Sequence, residues 1–234
     1  MSDTLQDPRI ANGMRAQMEL RSWLFEGGAK QIGWKVGLGA PAMQIKCKLT
    51  APIVGFLLDR AELASGATVS LARWRKPVAE AEIAATIGHD LPAGADRNEA
   101  RNAIAALGPA IELADVDGPM DDVQAVLSGN IFQRHVILGP CDITRSGARL
   151  EGLKGRVTRS GQDVPVPADL QINIGDVVDI VRHVADVAAA VGGGLRAGQF
   201  IICGSLTAPM FLEPGERGID FALEPIGAVS VRFS

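Results

Sequence analysis

Two glutamates, Glu80 and Glu82, stand two residues apart in the otherwise apolar segment 78–87. In a β-strand, alternate side chains point to opposite faces, so both carboxylates would share one face. Neighbouring negative charges in apolar surroundings disfavour each other's ionised form and need either water or a cation. Oxygen ligands of this kind suit a hard divalent ion such as Mg²⁺ or Mn²⁺. The spacing therefore indicates either a metal site or a strand whose glutamate face is in solvent.

A lysine and a third glutamate lie in similar apolar surroundings. Lys35 is flanked by apolar and glycine residues in the segment 30–39, which predicts a short strand. Its side chain could reach solvent from a strand end, or it could serve a site. Glu112 lies in a second predicted strand, 110–115, whose Ile111 and Leu113 face away from it. Glu112 is therefore a third candidate carboxylate ligand.

The composition limits the class of partner. The 234 residues are enough for one large domain with a proper core, and 47% of them are hydrophobic. A formal net charge of -4 provides no basic field for nucleic acid or anionic membrane, and no apolar run approaches the roughly 20 residues that cross a bilayer. The three cysteines have no paired spacing, so we expect them to be reduced. These features predict a cytoplasmic protein that binds a small molecule.

The elements that must position the acids alternate between helix and strand. The periodicity predicts helices at 8–26, 98–107, 120–127 and 176–191. The segment 39–50 is predicted as a connection or short helix that could cover a site. Strands are predicted at 30–39, 53–59, 66–71, 78–87, 110–115, 131–138, 150–157 and 162–166, from residue 200 into a polar turn, and over 218–232.

Four short motifs occur in the same order as in a known family. They are GWKVGL at 33–38, EAE at 80–82, PAIE at 109–112 and GSLTAP at 204–209. Together they make the chain resemble the 2-keto-4-pentenoate hydratase and 4-oxalocrotonate decarboxylase branch of the fumarylacetoacetate hydrolase superfamily. The resemblance implies an α+β fold, a mixed β-sandwich roll of the fumarylacetoacetase C-terminal type. It implies a single domain over 1–234, with a helical N-terminal arm over 1–30.

The resemblance also implies the active site. Glu80, Glu82 and Glu112 would hold one Mg²⁺ or Mn²⁺ ion, which chelates the 1-carboxylate and 2-oxo oxygens of a 2-oxo acid. Lys35 would be the catalytic residue beside the substrate, where it could donate to the same oxygens or carry protons. The turn after residue 203 would offer hydroxyls and backbone N–H groups to the substrate carboxylate. The predicted substrate-binding residues are Ser205, Thr207, Ile83 and Asn130.

Two positions depart from the hydratases of this branch. Those enzymes usually carry an aspartate after a proline, eighteen positions beyond the lysine, whereas Ile53 follows Pro52 here. The segment 128–131 reads SGNI, where the family often has Asp-Asn and a serine. The histidine and glutamate that activate water in the superfamily's hydrolases have no match between residues 38 and 50. The histidines are predicted to be ordinary surface or core residues: His89, His135 and His183.

The leading hypothesis is a metal-dependent lyase that hydrates the double bond of a small 2-oxo-alkenoate, such as 2-hydroxypenta-2,4-dienoate, in the catabolism of aromatic compounds. Alternatives are decarboxylation of a 2-oxo dioic acid such as 4-oxalocrotonate, carbon–carbon bond hydrolysis, and a non-catalytic metal-binding subunit that stabilises a partner enzyme. Ile53 and the altered segment 128–131 favour the last alternative. By resemblance, we expect a homo-oligomer, which could also associate with a partner enzyme of the same pathway.

Overall fold

The computed structural model describes residues 3–234, which form helices and strands joined by short loops and 3₁₀ turns. The helices are α1 Pro8–Glu26, α2 Pro41–Cys47, α3 Arg97–Ala103, α4 Val123–Ser128 and α5 Val177–Ala190. The strands are β1 Gln31–Gly37, β2 Ile53–Leu58, β3 Glu62–Leu63, β4 Thr68–Val69, β5 Pro77–Ile87, β6 Ile104–Asp115, β7 Gln133–Leu138, β8 Lys154–Arg159, β9 Gln162–Val164, β10 Phe200–Ser205, β11 Met210–Phe211, β12 Gly218–Glu224 and β13 Gly227–Phe233. None of the helices within 3–234 is long and apolar enough to span a bilayer.

The larger sheet has eight strands and curls into a roll. Its order is β2-β1-β10-β5-β6-β7-β3, with β11 beside β5. β2 stands at one end of this order, and β7 lies near the other end. The side-chain amide of Asn130, just before β7, is hydrogen-bonded to the backbone of Phe56 in β2. One face of the sheet is therefore turned inward. That inner face carries a small apolar cluster that includes Leu57, Val136 and Ile202.

The smaller sheet has the order β4-β13-β12-β8-β9, and its strands β12 and β13 pack against β6. The main hydrophobic core occupies the other face of the roll, where Ala81 and Ile83 of β5 are fully buried together with Val181 and Val184 of α5. The alternation of β5 therefore places apolar residues on the core face and the glutamates on the inner face. This architecture confirms the predicted α+β roll of mixed strands.

The helix α1 has the bounds that the sequence predicts. The side chain of Asp7 accepts a hydrogen bond from the Arg9 N–H at 2.9 Å, and Pro8 follows at the first helical position. Gln17 is fully buried and donates to the carbonyl oxygens of Val54 at 3.2 Å and Leu127 at 3.0 Å. The helix is thereby tied to β2 and α4.

The short helix α2 lies within the segment 39–50, as predicted. Pro41 begins it, and Lys48 ends it in the left-handed conformation, with a φ of 55°. The Arg9 guanidinium donates to the carbonyl oxygens of Cys47 at 3.0 Å and Lys48 at 3.2 Å. These bonds satisfy carbonyls at the end of α2 that have no partner within the helix.

The prediction of a helix over 98–107 is wrong in its second half. The helix α3 ends at Ala103, and β6 begins at Ile104 and continues without interruption to Asp115. The pair Gly108 and Pro109 indicated a helix end, but both lie inside β6, opposite Ala84 and Ile83. A continuous apolar run that is buried on both faces has no period of two, so its length as a strand is hidden from the sequence.

Candidate metal centre

Two neighbouring strands bring the three predicted ligands together. β5 carries Glu80 and Glu82 on the inner face of the roll, and the antiparallel pairing of β5 with β6 sets Glu112 directly opposite Glu80. One carboxylate oxygen from each of the three residues lies within 4.8 Å of the others. The three acids are therefore one cluster, although they come from segments 30 residues apart in sequence.

Each of the two fully buried glutamates has one oxygen engaged and one oxygen free. Glu82 Oε2 accepts the Gly204 N–H at 2.6 Å, while Glu82 Oε1 has no hydrogen-bond partner. Glu112 Oε1 pairs with Lys35 Nζ, while Glu112 Oε2 has no partner. A buried polar atom without a partner costs free energy unless a ligand or ion satisfies it. The free oxygens therefore indicate a cation site.

This donor set fits a hard divalent cation. Magnesium binds oxygen ligands at about 2.1 Å, so oxygens on opposite sides of one ion are about 4.2 Å apart. One oxygen from each of Glu80, Glu82 and Glu112 lies within 4.8 Å of the others, which is close to this separation. These three residues could hold Mg²⁺ or Mn²⁺ and leave further coordination positions for small ligands.

Burial raises the pKa values of all three acids, and neighbouring carboxylates add to this shift for Glu80 and Glu82. Burial raises the pKa of Glu80 to about 7, and the adjacent Glu112 carboxylate adds to this shift, while Lys35 opposes it. Burial, followed by the charges of Glu112 and Glu80, raises the pKa of Glu82 well above its ordinary value. The raised pKa values favour the protonated carboxyl groups when no cation is bound, so binding of a metal ion releases protons.

Lys35 lies inside the roll, not at a solvent-exposed strand end. It is 2% exposed, its Nζ pairs with Glu112, and the Ile131 carbonyl oxygen lies 3.5 Å from Nζ. Gly55 faces it from β2, where an added Cβ would come within 3.1 Å of Lys35 Cγ and 2.8 Å of Asn130 Oδ1. The glycine therefore provides the space that the lysine stem occupies.

A bulge in β10 aims a backbone donor at the metal centre. The register between β10 and β5 shifts between Ile202 and Ser205, and Gly204 in this bulge has a φ of 100°. A non-glycine residue would be strained in this conformation. The bulge turns the Gly204 N–H toward Glu82, and so fixes one carboxylate oxygen while the other stays free.

A cavity of about 300 Å³ opens beside the metal centre, and Glu80, Ser205 and Thr207 lie on its wall. The buried Ser205 hydroxyl has no hydrogen-bond partner, whereas the Thr207 hydroxyl donates to the Ala208 carbonyl at 3.0 Å. The two predicted polar contacts of this turn therefore face the same space as Glu80. The wall also contains residues that the sequence did not single out, because no period or motif marks them: Met43, Met120, Asn173 and Ile174.

Ile83 and Asn130 were predicted to bind substrate, but neither is among the described residues that line the cavity. Ile83 is fully buried in the main core, because the alternation of β5 turns it away from Glu82. Asn130 Nδ2 donates to the Phe56 carbonyl and Asn130 Oδ1 accepts the Phe56 N–H, both at 2.9 Å. The amide thus completes the backbone hydrogen bonding of the edge strand β2 and closes the roll.

Asn130 allows a test of this structural role. Its φ of 52° is left-handed, a conformation that glycine and asparagine accept more readily than alanine. Replacing Asn130 with glycine should cost about 1–3 kcal/mol of unfolding free energy, since Phe56 loses both partners. Replacing it with alanine should cost about 1 kcal/mol more. Chemical denaturation measures both values, and a variant of unchanged stability but raised KM would instead support substrate binding.

Ile53 and the three histidines are not among the described residues that line the cavity. Ile53, at the position where the resemblance implies an aspartate, is 1% exposed, belongs to the main core and lies opposite Gly37. Glu80 is the one acidic residue among the described residues that line the cavity, so no second acid there takes the place of the implied aspartate. His183 Nε2 lies 2.7 Å from the Pro52 carbonyl oxygen, and the ring centroid of His135 lies 5.9 Å from that of Trp74, so both half-buried histidines make structural contacts.

Comparison with known proteins agrees with the geometry. A sequence profile described as "Fumarylacetoacetate (FAA) hydrolase C-terminal" matches residues 35–234. A 4-oxalocrotonate decarboxylase of Pseudomonas putida is 27% identical over 227 residues, which cover 96% of this chain and 85% of the relative. The 2-keto-4-pentenoate hydratase 2 of Dechloromonas aromatica (strain RCB) is 28% identical over 234 residues, with 93% and 83% covered.

A solved structure has the same overall arrangement. The 4-oxalocrotonate decarboxylase from Pseudomonas putida G7, complexed with magnesium and adipate, superposes with a TM-score of 0.86 at 26% identity. The match covers 96% of this chain and 86% of that one. Since the family profile extends over most of the sequence and includes all four residues of the acid and lysine cluster, this chain belongs to the fumarylacetoacetate hydrolase family.

Proposed function

We propose that the protein is a divalent-metal-dependent lyase that hydrates a small 2-oxo-alkenoate such as 2-hydroxypenta-2,4-dienoate. The observation that carries this proposal is the convergence of three glutamates and one buried lysine beside a cavity of about 300 Å³. Two of the carboxylates have a free buried oxygen, as ligands of a cation would. A cavity of this size suits a small molecule.

The roles of the residues follow from their contacts. Glu80, Glu82 and Glu112 would hold Mg²⁺ or Mn²⁺, which would supply Lewis-acid stabilisation of negative charge on the 2-oxo oxygen of the substrate. Lys35, held in place by Glu112, donates a hydrogen bond or a proton to the 1-carboxylate and 2-oxo oxygens of the substrate. In the net reaction the dienol takes its keto form, and water adds across the remaining carbon–carbon double bond. The product is a 4-hydroxy-2-oxo acid, so no other reactant is consumed.

The relatives support this proposal and a second candidate. Both a 2-keto-4-pentenoate hydratase and a 4-oxalocrotonate decarboxylase match nearly the full chain. The decarboxylase structure with magnesium and adipate supports a magnesium ion and a small organic acid as ligands of this site too. Decarboxylation of a 2-oxo dioic acid is the second candidate, because it also places negative charge on the 2-oxo oxygen.

Incubation with Mg²⁺ and either substrate separates the two reactions. We expect the absorbance of 2-hydroxypenta-2,4-dienoate to fall without release of carbon dioxide, and to stop falling when EDTA removes the metal. Release of carbon dioxide from 4-oxalocrotonate, with no reaction of the dienoate, would establish the decarboxylase instead. Absence of both reactions would contradict an enzymatic role on these compounds and favour the metal-binding subunit.

A further inference from the structure

The cavity beside the metal centre is lined by one charged side chain, a few polar ones and a larger apolar part. Among the described residues that line it, Glu80 is the charged one, and arginine, lysine and histidine do not occur. Asn173, Ser205 and Thr207 are polar, and the apolar part of the wall is contributed mainly by Leu38, Ala40, Met43, Met120, Ile174 and Pro209. A group that extends from the metal centre toward this apolar part therefore meets a hydrocarbon surface.

The methionine part of this wall is held by contacts on several sides. Met43 belongs to α2, and the Cys47 thiol of the same helix lies 3.7 Å from the Met120 carbonyl oxygen. Arg9 holds the end of α2 through the carbonyl oxygens of Cys47 and Lys48. Met120 itself packs against the main core. These contacts fix the positions of α2 and Met120 in the fold.

A second carboxylate on the substrate would have no cationic partner among the described residues that line this cavity. Lys35, the nearest buried cation, is already paired with Glu112. Burying an unpaired charge against hydrocarbon is costly, and the three glutamates add repulsion. An aliphatic tail gains free energy by leaving water for the same surface.

We propose that Met43 and Met120 determine substrate specificity, selecting 2-oxo acids with an uncharged aliphatic tail and excluding those with a second carboxylate. This inference rests on the proposed function, since it requires the 2-oxo acid end to lie at the metal centre. It goes further because it names two residues that would distinguish a hydratase substrate, which has an uncharged tail, from a dioic acid.

Two stable 2-oxo acids of equal chain length test the inference without turnover. Titration calorimetry of the magnesium-loaded protein should show that 2-oxohexanoate binds at least roughly tenfold more tightly than 2-oxoadipate, a ratio equal to about 1.4 kcal/mol. Replacing Met120 with arginine supplies a cation and should reverse this preference. Replacing it with leucine, of similar volume and no charge, should preserve it. The Met43→Arg variant repeats the test from a separate segment.

The outcomes distinguish this inference from the proposed function. Equal affinities for the two acids, or arginine variants that fold but leave the preference unchanged, would overturn the specificity role of the methionines even if the dienoate is hydrated. The expected preference without hydration of the dienoate would support the specificity role and overturn the hydratase assignment. If neither acid binds the magnesium-loaded protein, both are overturned.

Discussion

Replacing Glu82 with glutamine is expected to lower the affinity for Mg²⁺ by roughly 100-fold or more and to remove activity. Changes to groups that only orient metal ligands commonly cost 10–100-fold in affinity, so loss of a direct ligand charge should cost at least as much. The fold should remain, because the glutamine carbonyl can still accept the Gly204 N–H that Glu82 accepts. Isothermal titration with Mg²⁺ measures the affinity, and thermal unfolding without metal measures the fold.

The thermal data provide a second readout of the same change. Burial and neighbouring acids raise the pKa of Glu82, so this carboxyl destabilises the folded protein at neutral pH; glutamine lacks this cost, and the metal-free variant should be at least as stable. The increase in melting temperature on adding Mg²⁺ should disappear, because it depends on binding to the folded state. Glu151→Gln, at an exposed position, is the matched control. Normal magnesium binding by Glu82→Gln would remove Glu82 from the ligand set.

Replacing Lys35 with methionine is expected to preserve magnesium binding and to lower turnover by roughly 10²–10⁴-fold, the range typical of a lost proton-transfer group. Methionine keeps a long apolar stem in the space beside Gly55 but removes the charge that pairs with Glu112. The metal-free variant should unfold at a lower temperature, because Glu112 then lies buried without its ion-pair partner. Bound Mg²⁺ should restore much of this loss.

Steady-state kinetics at saturating Mg²⁺ and titration calorimetry separate the two effects in this variant. Lys30→Met, at an exposed lysine just before β1, is the matched control and should leave turnover unchanged. Unchanged turnover in Lys35→Met would exclude Lys35 from the mechanism. A loss of magnesium affinity comparable to that of Glu82→Gln would instead indicate that Lys35 acts by holding Glu112 in place.

The sequence predicts the metal centre better than the substrate cavity for a physical reason. Glu80, Glu82 and Lys35 are charges in apolar strands, so their chemistry conflicts with their surroundings and marks them individually. Met43 and Met120 carry no charge that conflicts with apolar surroundings, and methionines normally fill gaps in a core, so nothing in the sequence marks them. Only the folded chain shows that α2 and the loop before α4 bring them to the same wall.

The errors in the fold prediction have a similar origin. The β6 strand is buried on both faces, so it lacks the alternation that reveals β5, and its Gly108 and Pro109 resemble a helix end. The role of Asn130 depends on the curl of the sheet, which brings it to β2 from a position 74 residues later in the chain than Phe56. Local sequence patterns contain no information about such closure.

The most direct test of the account is a crystal structure of the protein grown with Mn²⁺, in which anomalous scattering locates the ion. The account predicts one Mn²⁺ ion with carboxylate oxygens of Glu80, Glu82 and Glu112 in its coordination sphere, while Lys35 remains paired with the other oxygen of Glu112. An ion bound elsewhere, or a fully loaded crystal in which Glu82 Oε1 and Glu112 Oε2 stay without a metal contact, would contradict it.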